Sequence, residues 1–238
     1  MAKQKGSIVV FDAHPDDADW WTGGLTLLLT EKGWDVHYVC VTPANEVMRT
    51  GALDSAGILG AERHFLEVPI TANPQLSEQL LEKMIPVMKN AQPVMVFVPA
   101  FTDYHAEHTL LTRTLLPLLR RSIGGRFGFG PFEIYGCDSQ ENREPIEVYL
   151  DISDVFDKVL SALSCHTLFA RKRIGNSLCR VKTGRSMCLG ACLPHPSDRV
   201  EYAEGYRIIF GEPKQVSTLR LLFPERFYYR PTAWLETL

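Results

Sequence analysis

The sequence predicts an α/β fold: a Rossmann-like, mostly parallel sheet sandwiched by helices, followed by an irregular C-terminal region. Two observations lead there. Strand-like and helix-like segments alternate through the first half, the pattern of a doubly wound sheet. The run Val94–Val98 is almost wholly apolar, as a strand buried on both faces requires. The 238 residues are 45% hydrophobic and 22% charged, ordinary for a soluble globular chain. They are expected to form a single domain over 1–238. Its Rossmann-like core would span 1–125. The remainder, 126–238, would hold C-terminal strands, a helix and a loop beside the active site.

Each element has its own signal. Ser7–Asp12 is short, apolar and β-branched, so a strand. Thr22–Lys32 carries Leu25, Leu27, Leu28 and Leu29 and stops at Gly33, so a helix with a glycine end. Asp35–Thr42 is the next strand. Residues from about Asp54 to Leu59 read as a helix ending at Gly60, and His64–Val68 as a short strand. Gln75–Asn90 has Leu76, Leu80, Met84 and Met88 at helical spacing, and Glu107–Arg121 repeats that pattern. Phe132–Tyr135, Glu147–Ile152 and Tyr202–Phe210 read as strands, and Asp154–Arg173 as a helix. The Gly-, Pro- and Ser-rich stretch from about Gly175 to Asp198 reads as a long loop. The aromatic tail Phe227-Tyr228-Tyr229, with Trp234 beyond, is expected to pack against the body or a second subunit.

Bulk properties narrow the function. The formal net charge is −3, so nothing favours nucleic acid or an anionic membrane as partner. No stretch approaches the roughly 20 apolar residues of a membrane span. A basic start precedes the apolar run Ser7–Phe11, but that run is too short for a signal peptide and Asp12, His14, Asp16 and Asp17 follow at once. The six cysteines are scattered and read as reduced thiols of a cytoplasmic protein. No GxGxxG follows the first strand, which disfavours a nucleotide-dependent oxidoreductase.

In a doubly wound sheet, ligands bind at the carboxyl ends of the strands. After the first strand comes Ala13-His14-Pro15-Asp16-Asp17-Ala18-Asp19; after the strand ending near Pro99 comes Asp103-Tyr104-His105-Ala106-Glu107-His108. Three of the seven histidines fall in these two segments. His14 and Asp17 are three apart around a proline, so one turn can aim both at one centre. His105 and His108 are three apart and share a face at the start of a helix. Two imidazoles and one carboxylate, with a position left open, make a catalytic zinc set. Zinc held this way brings the pKa of its water to about 7. Taken singly, a His-Pro-Asp turn is usually only a turn, and Asp17 or Asp19 would serve as a helix cap. Together on one sheet edge, the two segments are far more specific.

These residues resemble a family. Ala13-His14-Pro15-Asp16-Asp17, the pair Gly23-Gly24 and His105-x-x-His108 are similar to the PIG-L/LmbE-like de-N-acetylases. The likeness continues in Val148–Ser153, in a helix with Lys158, Ala162 and His166, and in Glu201–Arg207. The resemblance implies that His14, Asp17 and His108 hold Zn²⁺ and that Asp16 is the general base. It implies that His105 stabilises the oxyanion or protonates the departing amine. Independently of the family, that role suits a protonated His105, whose charge a nearby carboxylate, Glu107 or Asp103, would help keep. The implied substrate is an N-acetylglucosamine-type sugar, and the implied assembly a homo-oligomer. Arg49 and His195 are candidate substrate contacts.

There are departures from the family pattern. Ala18 stands where the family usually has Glu, and His105-Ala106-Glu107-His108 replaces the usual His-Pro-Asp-His. Neither removes a ligand or the base, but Ala18 lies near the sugar in the family. Trp20 and Trp21 are read as core residues ahead of a sugar platform. A rival reading is the two-histidine, one-carboxylate iron set of oxygenases, from His14, Asp16 and His108. The strand–helix alternation argues against the all-β sheets of those enzymes. A pocket that has lost its reaction is the other rival, which the retained Asp16 disfavours.

Overall fold

The computed structural model describes residues 6–123, 125–138, 146–166, 175–191, 193, 200–210 and 218–229. Strands β1 (Ser7–Asp12), β2 (Asp35–Cys40), β3 (Glu62–Phe65), β4 (Met95–Val98) and β5 (Glu133–Cys137) pair in parallel. β6 (Val148–Asp151), β7 (Ala203–Phe210) and β8 (Phe227–Tyr229) extend the sheet in antiparallel fashion. The order is β3-β2-β1-β4-β5-β7-β6-β8, a single eight-stranded sheet with helices on its faces. The α/β, Rossmann-like expectation is met.

Helices α1 (Asp17–Glu31), α2 (Glu46–Leu59), α3 (Leu76–Ala91), α4 (Ala106–Ser122), α5 (Phe156–Leu163), α6 (Gly175–Ala191) and α7 (Thr218–Leu222), with a 3₁₀ turn at Ser153–Val155, complete the described elements. β1 shows how the sequence builds two cores. Ile8 and Val10 pack with Leu25, Phe97, Val148 and Phe156 on one face. Val9 and Phe11 pack with Leu80, Met84, Leu111 and Leu115 on the other. Period-2 alternation places successive side chains on opposite faces. Burying each such side chain contributes roughly 1.5–3 kcal/mol.

Several boundaries differ from expectation. α1 begins at Asp17, not Thr22, so Gly23-Gly24 lies inside the helix. A Cβ on Gly24 would stand 2.5 Å from Ile152 Cγ2, and one on Gly23 would stand 3.0 Å from Val159 Cγ1. The glycines therefore let α1 approach the α5 region closely. α2 begins at Glu46, where Asn45 Oδ1 accepts from the Met48 backbone N–H; that N-cap extends the helix eight residues upstream. Gly60 ends it at φ 77°, as expected. α5 closes at Leu163, and the rest of that expected helix, from residue 167, lies outside the described residues.

The clearest correction concerns the expected loop from Gly175. Residues Gly175–Ala191 form α6 instead. Its buried positions include Lys182 and Ser186 beside Leu189, so its inward face carries no apolar stripe to read. Lys182 Nζ donates to Trp20 O at 2.6 Å and meets Glu204 Oε1 at 3.0 Å. Glu204 in turn accepts from Gly24 N (2.9 Å), Leu25 N (3.0 Å) and Tyr206 Oη (2.7 Å). This buried ion pair, its spare oxygens satisfied, ties α6 and β7 to the middle of α1. Phe227 and Tyr229 pack against the main core, in keeping with a packing role for the tail. Trp234 lies outside the described residues. Among the described residues, no helix is long and apolar enough to cross a membrane.

Candidate metal centre

The chain runs from β1 outward to β2 and β3, then returns to place β4 on the other side of β1. The connections after β1 and β4 therefore diverge at the point where the strand order reverses. That crevice is where doubly wound sheets bind ligands. It receives His14 to Asp17 from one side and Asp103 to His108 from the other.

His14 Nδ1, Asp17 Oδ2 and His108 Nε2 converge there. The separations are 3.2 Å between the imidazoles, 3.3 Å from His14 to Asp17 and 3.0 Å from His108 to Asp17. Donors at zinc-ligand distances in a tetrahedron stand about 3.3 Å apart. The triangle thus fits one face of a tetrahedral divalent-ion site and leaves an apex free. The His14 backbone N–H donates to Asp17 Oδ2 at 2.8 Å, fixing the turn.

The outer nitrogen of each of these imidazoles faces a carboxylate. His14 Nε2 is 2.7 Å from Glu107 Oε2, and His108 Nδ1 is 3.2 Å from Asp103 Oδ2. Such partners orient metal-binding histidines and fix their tautomers. This differs from the expectation that Glu107 or Asp103 serves His105. Glu107 stands 4.0 Å from His105 Nδ1, and Asp103 Oδ1 accepts only the His105 backbone N–H, at 2.8 Å.

His105 occupies the N-cap position of α4 without a side-chain capping bond and packs against both neighbours. Its ring lies 4.7 Å from that of His14, edge-on, and 4.7 Å from that of His108, stacked. His14, His105 and His108 can thus present donor atoms within 4.8 Å of one another. Trp21 meets His108 edge to face at 5.1 Å. Both Trp20 and Trp21 are buried in the main core, as read from the sequence.

Electrostatics divide the two adjacent aspartates. Burial opposes the charge of Asp17, but His108 and His14 outweigh it and hold the carboxyl well below the usual range. Burial, reinforced by the Asp17 charge, pushes the Asp16 carboxyl up to about 6. Asp16 occupies the N-cap position of α1 yet makes no side-chain capping bond. Its carboxylate is therefore not committed to the helix. Burial and the neighbouring His108 and His14 lower the pKa of His105, contrary to the expected protonated form.

Behind the site lies a charged network that sequence reasoning missed. Arg63, from β3, donates to Asp12 Oδ2 at 2.5 Å and to Asp19 Oδ2 at 3.3 Å; all three side chains are fully buried. His166 Nε2 reaches Asp19 Oδ2 at 2.7 Å. The Arg63 guanidinium stands 4.7 Å from the Tyr38 ring, its register partner on β2. A charge in a short strand reads as solvent-facing, so only that register identifies Arg63 as buried. Arg49, a candidate substrate contact, is paired with Glu67 and sits 4.4 Å over Phe65. No described contact joins it to the imidazole cluster. His195, the other candidate, lies outside the described residues.

Fold and crevice together define a Rossmann-like α/β protein in which two imidazoles and a carboxylate converge at the topological switch point. Residues 9–118 match the model of the PIG-L family, described as GlcNAc-PI de-N-acetylase, and the resemblance read from the sequence holds over that stretch. A 4-oxalmesaconate hydratase of Pseudomonas putida KT2440 is 26% identical, over 87% of this chain and 90% of the relative. The crystal structure of the 4-carboxy-2-hydroxymuconate hydratase of that organism superposes with a TM-score of 0.73 at 22% identity, covering 89% of this chain and 99% of that one. An N,N'-diacetylchitobiose deacetylase from Pyrococcus horikoshii gives a TM-score of 0.70 at 22% identity, covering 86% and 84%.

Proposed function

We propose that this chain is a zinc-dependent hydrolase that removes the acetyl group from an N-acetylglucosamine-type sugar or glycoside. One observation carries the reading: a three-donor triangle adjoins a carboxyl, Asp16, pushed up to about 6 and spared from capping. The family description and the sugar deacetylase among the structural relatives support the substrate class.

His14, Asp17 and His108 would hold the cation. Bound there, it supplies Lewis acidity, which acidifies water and polarises a carbonyl oxygen. The protein's own groups account for the remaining chemistry. Asp16, ionised above about pH 6, accepts a proton from the attacking water. A base poised just below neutrality is strong enough to take that proton and weak enough to return it to the departing amine. His105, neutral because its pKa is lowered, offers a ring N–H to the developing oxyanion; a neutral imidazole suffices for that task. Glu107 and Asp103 hold His14 and His108 in place.

A second reading, hydration of a conjugated carbon–carbon double bond in a small polycarboxylate, is favoured by the two Pseudomonas putida relatives. The same acidified water and base serve both reactions. They differ in where the proton goes, to carbon in one case and to nitrogen in the other. One experiment separates them. The purified protein is assayed for acetate release from a panel of N-acetyl sugars, and in parallel for loss of ultraviolet absorbance with unsaturated di- and tricarboxylates. Each assay is repeated with a chelator and with Asp16→Asn. Chelator-sensitive acetate release supports the first reading. Loss of absorbance without acetate release replaces it with the second.

A further inference from the structure

We infer that His37, Glu62 and His64 form a second divalent-cation site, on the edge of the sheet and apart from the switch-point crevice. The sheet itself assembles it. β2 and β3 pair in parallel with His37 opposite Glu62 and Val39 opposite His64. Aligned residues of adjacent strands share a face, and so do residues two apart along one strand. His37, Glu62 and His64 therefore project together from one side.

Their ligand atoms converge as those of the crevice do. His37 Nδ1 lies 3.1 Å from His64 Nε2 and 3.3 Å from Glu62 Oε2, and His64 Nε2 lies 3.5 Å from Glu62 Oε1. These lengths bracket the edge of a tetrahedron with zinc-ligand bonds, about 3.3 Å. The two rings stack 5.4 Å apart, tilted by 29°, and one ligand atom from each of the three residues lies within 4.8 Å of the others.

His37 is buried while Glu62 is 59% exposed, so the centre is anchored in the sheet and open to solvent. Asp35, His37 and Glu62 line an adjoining cavity of about 370 Å³ with Val36, Gly60 and Asn90. That cavity leaves room for water or a further ligand in the fourth position. Two imidazoles and one carboxylate suit zinc or a neighbouring first-row divalent ion, not magnesium or calcium.

The consequence is structural. Among the described residues, β3 is the edge strand of the sheet and pairs with β2 alone. An ion shared by His37, Glu62 and His64 would clip that edge to its neighbour. Occupancy would stabilise the fold without touching the crevice.

The test uses the full chain, stripped of metal and titrated with zinc against a chromophoric chelator. The parent is expected to bind two zinc ions per chain. His14→Ala with Asp17→Ala should bind one, at the second site. Adding Glu62→Gln and His64→Ala should leave none. In the His14→Ala, Asp17→Ala background, zinc should also raise Tm, and His64→Ala should abolish that rise. Glu62→Gln, at an exposed position, serves as the milder variant, with far-ultraviolet circular dichroism as the check on folding. The inference is overturned if Glu62→Gln with His64→Ala binds as many zinc ions as the parent. If the crevice is not a zinc site, the parent binds one ion and the His64 variant none, so the two assignments fail separately.

Discussion

His108 Nε2 stands 3.0 Å from Asp17 Oδ2, joining the first turn of α4 to the first residue of α1 across 90 intervening positions. Neither residue signals the other locally. They meet because β1 and β4 are adjacent at the switch point, so the segments that follow them face one crevice.

On the proposed function, the carboxylates behind the imidazoles should set metal affinity. Asp103→Asn removes the charge facing His108 Nδ1. The expected loss in metal affinity is roughly 10–100-fold, as for other outer partners of metal-binding histidines. Competition with a chromophoric chelator measures it. An unchanged affinity would mean that Asp103 does no more than hold the His105 backbone.

On the proposed function, Asp16 should set the acid side of the pH profile. It must be ionised to accept a proton, so activity should rise with pH through the pKa of this group, which is about 6 with no cation beside it. A bound cation draws the limb lower. Asp16→Asn should reduce kcat by roughly 10²–10⁴-fold and erase the limb while metal content stays unchanged. Steady-state kinetics from acid to neutral pH, with metal analysis, checks both.

The buried network behind the site should dominate local stability. Arg63→Met leaves Asp12 buried without its cation and Asp19 dependent on His166, which is expected to cost about 3–5 kcal/mol. Urea unfolding of parent and variant reads it directly.

His166 adds a pH-dependent part. Burial lowers its pKa, but the bond to Asp19 and that residue's charge overcome this and leave it raised. A raised folded value means its stabilisation is complete below the ordinary imidazole range and fades as pH rises through the folded value. The difference in unfolding free energy between parent and His166→Gln should therefore be largest on the acidic side and shrink with rising pH.

Packing against α1 supplies a control. Gly24→Ala drives a Cβ to 2.5 Å from Ile152 Cγ2 and 2.7 Å from Ile152 Cβ. Overpacking of this kind costs about 1–3 kcal/mol. Thermal unfolding should show the loss, and zinc binding at the crevice should persist in the folded protein.

The sheet was legible because its signals are local and apolar: β1, β2 and the Val94–Val98 run announce themselves by β-branching and burial. The four residues His14, Asp17, His105 and His108 were legible because each pair is compact in sequence and follows a strand. Arg63, Asp19 and His166 were not, because they act through contacts 44 and 147 residues apart and each looks ordinary in its own segment. α6 escaped for a related reason. Lys182 faces inward only because Glu204 awaits it, and periodicity of apolar residues cannot register a buried charge. The His37, Glu62 and His64 cluster needed the register of β2 on β3, which no single strand reveals.

The most direct measurement is an anomalous difference map at the zinc absorption edge from crystals of the zinc-loaded protein. The account predicts a peak within about 2.0–2.2 Å of His14 Nδ1, Asp17 Oδ2 and His108 Nε2 together. A map with no peak among those three atoms would contradict it.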